Sequence, residues 1–133
     1  MKALFLTIAI STLSLFTIAQ NTLTVNIVGL KTSEGTVKVQ LYDANEQVLK
    51  EASGTVSFQK CTVEFTDLPA GTYAVQYFHD ENDNGKMDTG TFGIPEEGYG
   101  YSNDARGFMG PADFKDQIFE LKSSKSITLI TVL

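Results

Sequence analysis

"FTDLPAGTYAVQYFHD", Phe65–Asp80, is the stretch on which the fold turns. Pro69 presets φ and Gly71 accepts a positive φ, so together they predict a tight turn between two β-rich segments. After the turn, Tyr73 to Phe78 is apolar on both faces except at Gln76, the pattern of a central strand covered on each side. Before it, Cys61 to Phe65 places Val63 and Phe65 on one face, as a half-buried strand does.

The same period of two extends outward in both directions. Leu23, Val25 and Ile27 alternate with Thr24 and Asn26 until Gly29, and after a turn at Lys31–Gly35, Val37, Val39 and Leu41 alternate with Lys38 and Gln40. A polar stretch from Asn45 to Ser53 follows, in which Val48 and Leu49 are expected to tuck one short turn against the core. Thr55–Phe58 forms a weaker strand. Gln117–Leu121 and Ser126–Leu133 supply the last two, joined by a turn at Ser123–Lys125. Seven short strands without a convincing helix predict an all-β fold, an antiparallel seven-stranded β-sandwich of immunoglobulin-like or transthyretin-like type.

The N-terminus has a different character. One cation, Lys2, precedes an apolar run from Ala3 to Ala19 relieved only by Ser and Thr, and Thr17-Ile18-Ala19 puts small residues at the third and first places before a cut. This is the pattern of a signal peptide over residues 1–19, cleaved before Gln20. Export to the periplasm or beyond is expected, with no membrane span left after cleavage. Residues 20–133 are enough for one domain with one core. Without Lys2 the chain carries 9 basic and 16 acidic side chains, a net charge of −7, which argues against a nucleic-acid partner. Cys61 is the single cysteine, so an internal disulfide is excluded, and it is expected to be a small buried residue of the core.

Residues 80–116 break the rhythm. They hold seven of the eleven glycines and nine of the sixteen acids. Phe92, Ile94, Tyr99, Tyr101, Phe108, Met109 and Phe114 give the segment apolar area of its own, so one long ordered loop packed on the sandwich is expected, not a disordered linker. Its aromatic side chains are expected to form mainly a small core, and in the lesser case a platform for a ligand.

The loop opens with "HDENDNGKMD", His79–Asp88. From Asp80 it follows the calcium-loop spacing D-x-[DN]-x-[DN]-G, in which oxygens at alternate positions converge and the glycine permits the bend. That spacing makes Asp80, Asn82 and Asn84 side-chain ligands, Lys86 a main-chain carbonyl ligand, and Asp88 a direct or water-bridged one. Hard oxygen donors favour Ca²⁺. The twelfth position is Thr91 where a bidentate Glu is needed, so Glu96 or Glu97 would have to complete the shell. With so few charged ligands, an affinity on the order of 10⁻⁴ to 10⁻³ M is expected. His79 is assigned to a supporting place, hydrogen-bonding a loop carbonyl or carboxylate at the strand exit. The competing reading is a plain Asn84-Gly85 hairpin turn, although Lys86–Gly90 lacks the alternation a hairpin predicts.

An enzymatic constellation is not visible. Glu96 and Glu97 near Tyr99 and Tyr101 are reminiscent of a glycosidase, but adjacent acids say nothing about the separation that chemistry requires. Ser102 lacks the Gly-x-Ser-x-Gly context of an activated nucleophile.

Asp67 to Asp116, with its GTYAVQYFHDENDNGKMD core, its GIPEEGYGYSN segment and the following GPADF, resembles the family known as domain of unknown function 2141. The resemblance implies export and a small β-sandwich, and it implies no activity. DENDNGKMD is also similar to the calcium loops of B-type repeats in bacterial surface adhesins, and FTDLPAGTY to transthyretin-like modules. The leading expectation is a secreted, Ca²⁺-stabilised, non-catalytic binding or accessory module for a protein, peptide or glycan. A hydrolytic or carbohydrate-active enzyme using loop carboxylates and a purely structural envelope protein are the alternatives.

Overall fold

The computed structural model describes residues 20–132; the expected signal peptide lies outside the described residues. Among the described residues, eight strands form two sheets. The first sheet has β1 (Asn21–Val28) at its centre, between β4 (Cys61–Leu68) and β8 (Lys125–Ile130). The second runs β3 (Val48–Gly54), β2 (Thr36–Asp43), β5 (Gly71–Asp80), β6 (Tyr99–Tyr101), with β7 (Phe119–Leu121) also paired to β5.

The alternation in the sequence explains what lies between the sheets. Leu23, Val25 and Ile27 of β1 and Val37, Val39 and Leu41 of β2 are buried and join one cluster with Val75 and Tyr77 of β5. The chain therefore folds as a sandwich of two facing sheets around a shared core. Tyr77 is sealed inside, its hydroxyl 3.1 Å from Thr131 Oγ1, and burial pushes its pKa up to about 12. Cys61 is buried too, and burial raises its thiol pKa. No helix among the described residues is long and apolar enough to cross a membrane.

The turn at Pro69 is present, but it carries the chain from the first sheet to the second, and the positive φ falls on Asp67 at 58° instead of on Gly71. β5 is central as expected. β2 pairs along its whole length on one side, and β7 and β6 share the other, at Gly71–Tyr73 and Gln76–Phe78. Between those two short partners the Val75 N–H donates to Ser102 Oγ at 2.9 Å. Ser102, fully buried, thus fills a gap in the ladder, and its hydroxyl in turn donates to the Gln117 carbonyl.

Several expectations fail in instructive ways. The pairing is not wholly antiparallel, since β1 and β8 run parallel. Alternation reports which face is buried and says nothing of strand direction, and strands so far apart in the chain escape the short-connection rule. Val48–Gly54 is a strand, not a turn; as an edge strand it buries little, and Val48 and Leu49 stay about half exposed. Thr55–Phe58 is instead part of a connection closed by the Ser57–Lys60 bridge, with Phe58 and Gln59 at positive φ. One helical turn, α1 (Phe114–Gln117), replaces the start of the strand expected from Gln117. β6 was hidden inside the loop. Its middle residue, Gly100, lies so close to Tyr77 that a Cβ there would sit 2.5 Å from the phenol oxygen.

The loop's expected small core also fails in part. Phe92, Phe108 and Met109 are more than 90% exposed and Ile94 is 63% exposed, whereas Tyr99, Tyr101 and Phe114 are partly buried on the second sheet. The ordering of this segment comes from backbone and polar contacts instead. Asn103 Nδ2 donates to the carbonyls of Asp116 and Ile118, and the Ile130 N–H donates to Asp104 Oδ1.

The facing of β1 is directly testable by urea denaturation. Ile27→Ala, at a fully buried position, is expected to cost about 2–5 kcal/mol. Thr24→Ala, on the opposite face, should stay within about 0.5 kcal/mol; equal losses at the two positions would contradict this register.

Candidate functional site

The acidic loop begins where β5 dives under the β1–β2 connection. His79 and Asp80, the last two residues of β5, are 1% and 0% exposed. His79 Nε2 lies 2.6 Å from the Glu34 carbonyl oxygen, and the His79 N–H donates to the Gly98 carbonyl at 2.7 Å. Gly35 follows Glu34 with φ at +71°, and a Cβ there would overlap the Asp80 carbonyl oxygen. The strand exit is thereby clamped between two loops. The His79 ring thus meets a carbonyl of the β1–β2 connection, while its backbone N–H meets a carbonyl of the 80–116 loop.

From Asp80 the chain curls over its own side chains. Asp80 Oδ1 accepts the Asn84 N–H at 3.1 Å and Oδ2 the Gly85 N–H at 2.8 Å. Asn82 Oδ1 accepts the Asn84 N–H at 3.3 Å, and Asn84 Oδ1 accepts the Lys86 N–H at 3.1 Å. Side-chain oxygens at alternate positions each cap backbone donors ahead of them, which winds the loop tightly. Gly85, at φ +82°, takes the left-handed conformation this winding requires.

The far side of the loop is closed by Asp88 and Glu97. Asn82 Nδ2 and Asn84 Nδ2 donate to the two Asp88 carboxylate oxygens at 2.6 and 2.7 Å. The Asn84 and Asn82 amides, helped by the nearby Lys86 charge, hold the Asp88 pKa below its usual 3.8. Glu97, 4% exposed, accepts the Glu81 N–H on Oε1 and the Asp88 N–H on Oε2, each at 3.1 Å. Glu96 is placed differently. It is exposed, its N–H donates to the Asp88 carbonyl, and its carboxylate lies over Gly90.

The structure thus brings Asp80, Asn82, Asn84, Asp88 and Glu97 into one hydrogen-bonded cluster and leaves Glu96 outside it. Thr91 sits in an exposed 3₁₀ turn at Thr91–Gly93. Lys86 enters through its backbone N–H, its side chain being exposed. Two contacts had no signal in the sequence. Thr36 Oγ1 donates to Asp83 Oδ1 at 2.7 Å, and Glu81 Oε1, buried without a hydrogen-bond partner among the described residues, faces His79 Nδ1, likewise unpartnered among them, at 4.0 Å.

Electrostatically the cluster is one-sided. Asp80 and Glu97 are buried, and among the described residues no lysine or arginine pairs with either. Their oxygens are held by backbone N–H groups alone. Among those residues no three acid, histidine or cysteine side chains converge as a metal-binding group, because amides and N–H groups stand between the acids. The donor set is nonetheless all oxygen: carboxylates from Asp80, Asp88 and Glu97, and amide oxygens from Asn82 and Asn84.

The loop also overhangs the outer face of the second sheet. Gly85 and Met87 form one end of a groove of about 350 Å³. Its floor is built from outward residues in cross-strand register, Lys38 opposite Phe78 and Phe78 opposite Tyr99 in one row, Gln40 opposite Gln76 and Gln76 opposite Tyr101 in the next. Glu51 and Ser53 of β3 complete the far edge.

Fold and loop together define a two-sheet β-sandwich bearing an oxygen-rich acidic loop at the end of its central strand. The chain belongs to the family DUF2141, described as an uncharacterized protein conserved in bacteria, whose pattern matches residues 25–128. No curated protein and no solved structure matches the chain.

Two measurements, both made in chelator, probe the cluster. Glu97→Ala leaves two backbone N–H groups without acceptors and is expected to cost about 2–4 kcal/mol. Glu96→Ala should cost no more than about 0.5 kcal/mol; denaturation curves in the reverse order would refute the assignment of Glu97. For Asp88 the lowered pKa makes its stabilising contribution complete above pH 3.8, and that contribution is lost as pH falls through the lower folded value. Asp88→Asn should therefore be less stable than wild type at neutral pH, the two converging in acid as Asp88 protonates.

Proposed function

We propose that the protein is a secreted or periplasmic, Ca²⁺-stabilised β-sandwich that serves as a non-catalytic binding or accessory module, with residues 80–116 as its functional face. The transthyretin-like or immunoglobulin-like sandwich is the scaffold class we assign to it. The observation that carries the reading is the burial of Asp80 and Glu97 without a cationic partner among the described residues. Buried carboxylates are stabilised by an opposite charge, and a loop already wound around oxygen donors is where a hard cation would supply it.

Asp80, Asn82, Asn84 and Asp88 would hold the ion through side chains and Lys86 through its carbonyl, with Glu97 in the place that Thr91 cannot fill. The ion would neutralise the crowded acids and fix the loop, and no reaction step is assigned to it. Export rests on the pattern of residues 1–19, and it places the chain where such weak sites meet abundant Ca²⁺.

The test is a thermal melt of the purified protein in millimolar Ca²⁺ and in chelator. At free Ca²⁺ about tenfold above the dissociation constant the ion adds roughly 1.4 kcal/mol. For a domain of this size that is a rise in Tm of about 5 °C. Asp88→Ala should abolish the rise. A Tm that ignores Ca²⁺ in the wild type would sink the proposal.

A further inference from the structure

We propose that the groove on the outer face of the second sheet binds a neutral glycan. This rests on the binding-module reading and names its ligand class. The middle of the groove's floor belongs to β2 and β5, both paired on each side, so it offers no free backbone edge there to which a peptide could add as a strand. Recognition there must come from side chains alone.

Those side chains are of two kinds. Phe78, Tyr99 and Tyr101 present aromatic rings, the last two set edge to face with centroids 6.0 Å apart. Beside them stand planar polar groups, the amides of Gln40 and Gln76 and the carboxylate of Glu51. A pyranose has the matching composition, an apolar C–H face to lie on a ring and vicinal hydroxyls to bridge amide and carboxylate atoms. The groove volume of about 350 Å³ falls at the small end of ligand sites, which run from about 300 to 1,000 Å³, and accommodates a short stretch of a sugar chain.

Charge selects the neutral member of the class. Among the described residues, Lys38 and Glu51 are the only ionised side chains lining the groove, and they offset each other. The acidic loop at one end and the chain's net charge of −6 repel polyanions. The polar groups are also held in place before a ligand arrives. Gln40 Nε2 donates to Glu51 Oε1 at 2.8 Å, the Tyr42 hydroxyl donates to Gln40 Oε1 at 2.8 Å, and Gln76 Nε2 donates to Gln117 Oε1 at 2.9 Å. Burial, with Tyr99 adding to it, raises the Tyr101 pKa, so its hydroxyl stays protonated and able to donate. Side chains fixed in advance lower the entropic cost of binding.

Native affinity electrophoresis of the exported protein tests this in gels cast with soluble β-glucan, xyloglucan, galactomannan or α-glucan, with polygalacturonate, or with unfolded casein, each with Ca²⁺ and with chelator. Retardation by at least one neutral polysaccharide is expected, with none by polygalacturonate. Tyr99→Ala and Glu51→Ala should each weaken that retardation about tenfold or more while still melting cooperatively, and Phe58→Ala, exposed and outside both the groove and residues 80–116, should leave it unchanged. Unaltered migration in every neutral gel, retardation that survives both groove variants, or retardation by casein alone would each overturn the proposal. Retardation by a protein whose Tm ignores Ca²⁺ would remove the ion and keep the groove; a Ca²⁺-dependent Tm without retardation would do the reverse.

Discussion

A carboxylate withdrawn from water loses several kcal/mol of hydration unless hydrogen bonds or an opposite charge replace it. Asp80 is withdrawn completely, at the end of the strand that organises the second sheet. Its two oxygens are met by the N–H groups of Asn84 and Gly85, which is possible only if the next five residues wind back over the strand end. That winding determines the rest of the loop. It sets Asn82 and Asn84 against Asp88, and Glu97 then returns beneath them to take the N–H groups of Glu81 and Asp88. Satisfying one buried charge has thus recruited a second, Glu97, which has no lysine or arginine partner among the described residues either.

The return of the chain through Glu97 has structural consequences downstream. Gly98 accepts the His79 N–H, and from there Tyr99–Tyr101 falls into register against Phe78–Gln76. The strict alternation of a strand then turns Gly100 toward buried Tyr77 and both tyrosines toward the outer face. A larger residue at position 100 would push β6 off β5, and the aromatic wall of the groove would go with it. Fold and candidate site are therefore one construction. The core requires Tyr77, Tyr77 requires Gly100, and Gly100 leaves Tyr99 and Tyr101 on the outer face.

Much of this was legible in the sequence, and the remainder was hidden for identifiable reasons. β1, β2 and β5 announce themselves because each buries one complete face, and burial is what alternation encodes. β3 gave no such signal, since an edge strand with polar outward residues resembles a loop. Tyr99–Tyr101 is too short, and too reliant on β5, to stand out among its glycines. The oxygen spacing of the acidic loop was visible because it is local, and the Asx-type hydrogen bonds follow that spacing. Glu96 and Glu97 could not be told apart, because which of two adjacent acids points inward depends on the register of the returning chain. Phe92, Phe108 and Met109 misled for a related reason. Apolar composition signals that a segment is able to pack, but here the hydrogen bonds of Asn103 and Asp104 order the segment while those side chains remain in water.

The loop and the groove share a wall, and this determines how a cation and a glycan would influence each other. Gly85 donates its N–H to Asp80 and also lines the groove, so whatever fixes the loop fixes one end of the groove. Linkage makes the effect reciprocal: the factor by which an ion tightens ligand binding is the factor by which the ligand tightens the ion. The size of that factor is limited by how much of the groove depends on the loop. Its floor is carried by β2 and β5, and Gln40 and Gln76 are held by hydrogen bonds to Glu51, Tyr42 and Gln117, none of which belongs to the acidic loop. Only the end wall would move with an ion. A cation in the loop would therefore adjust the affinity of a surface that the sheet has already built.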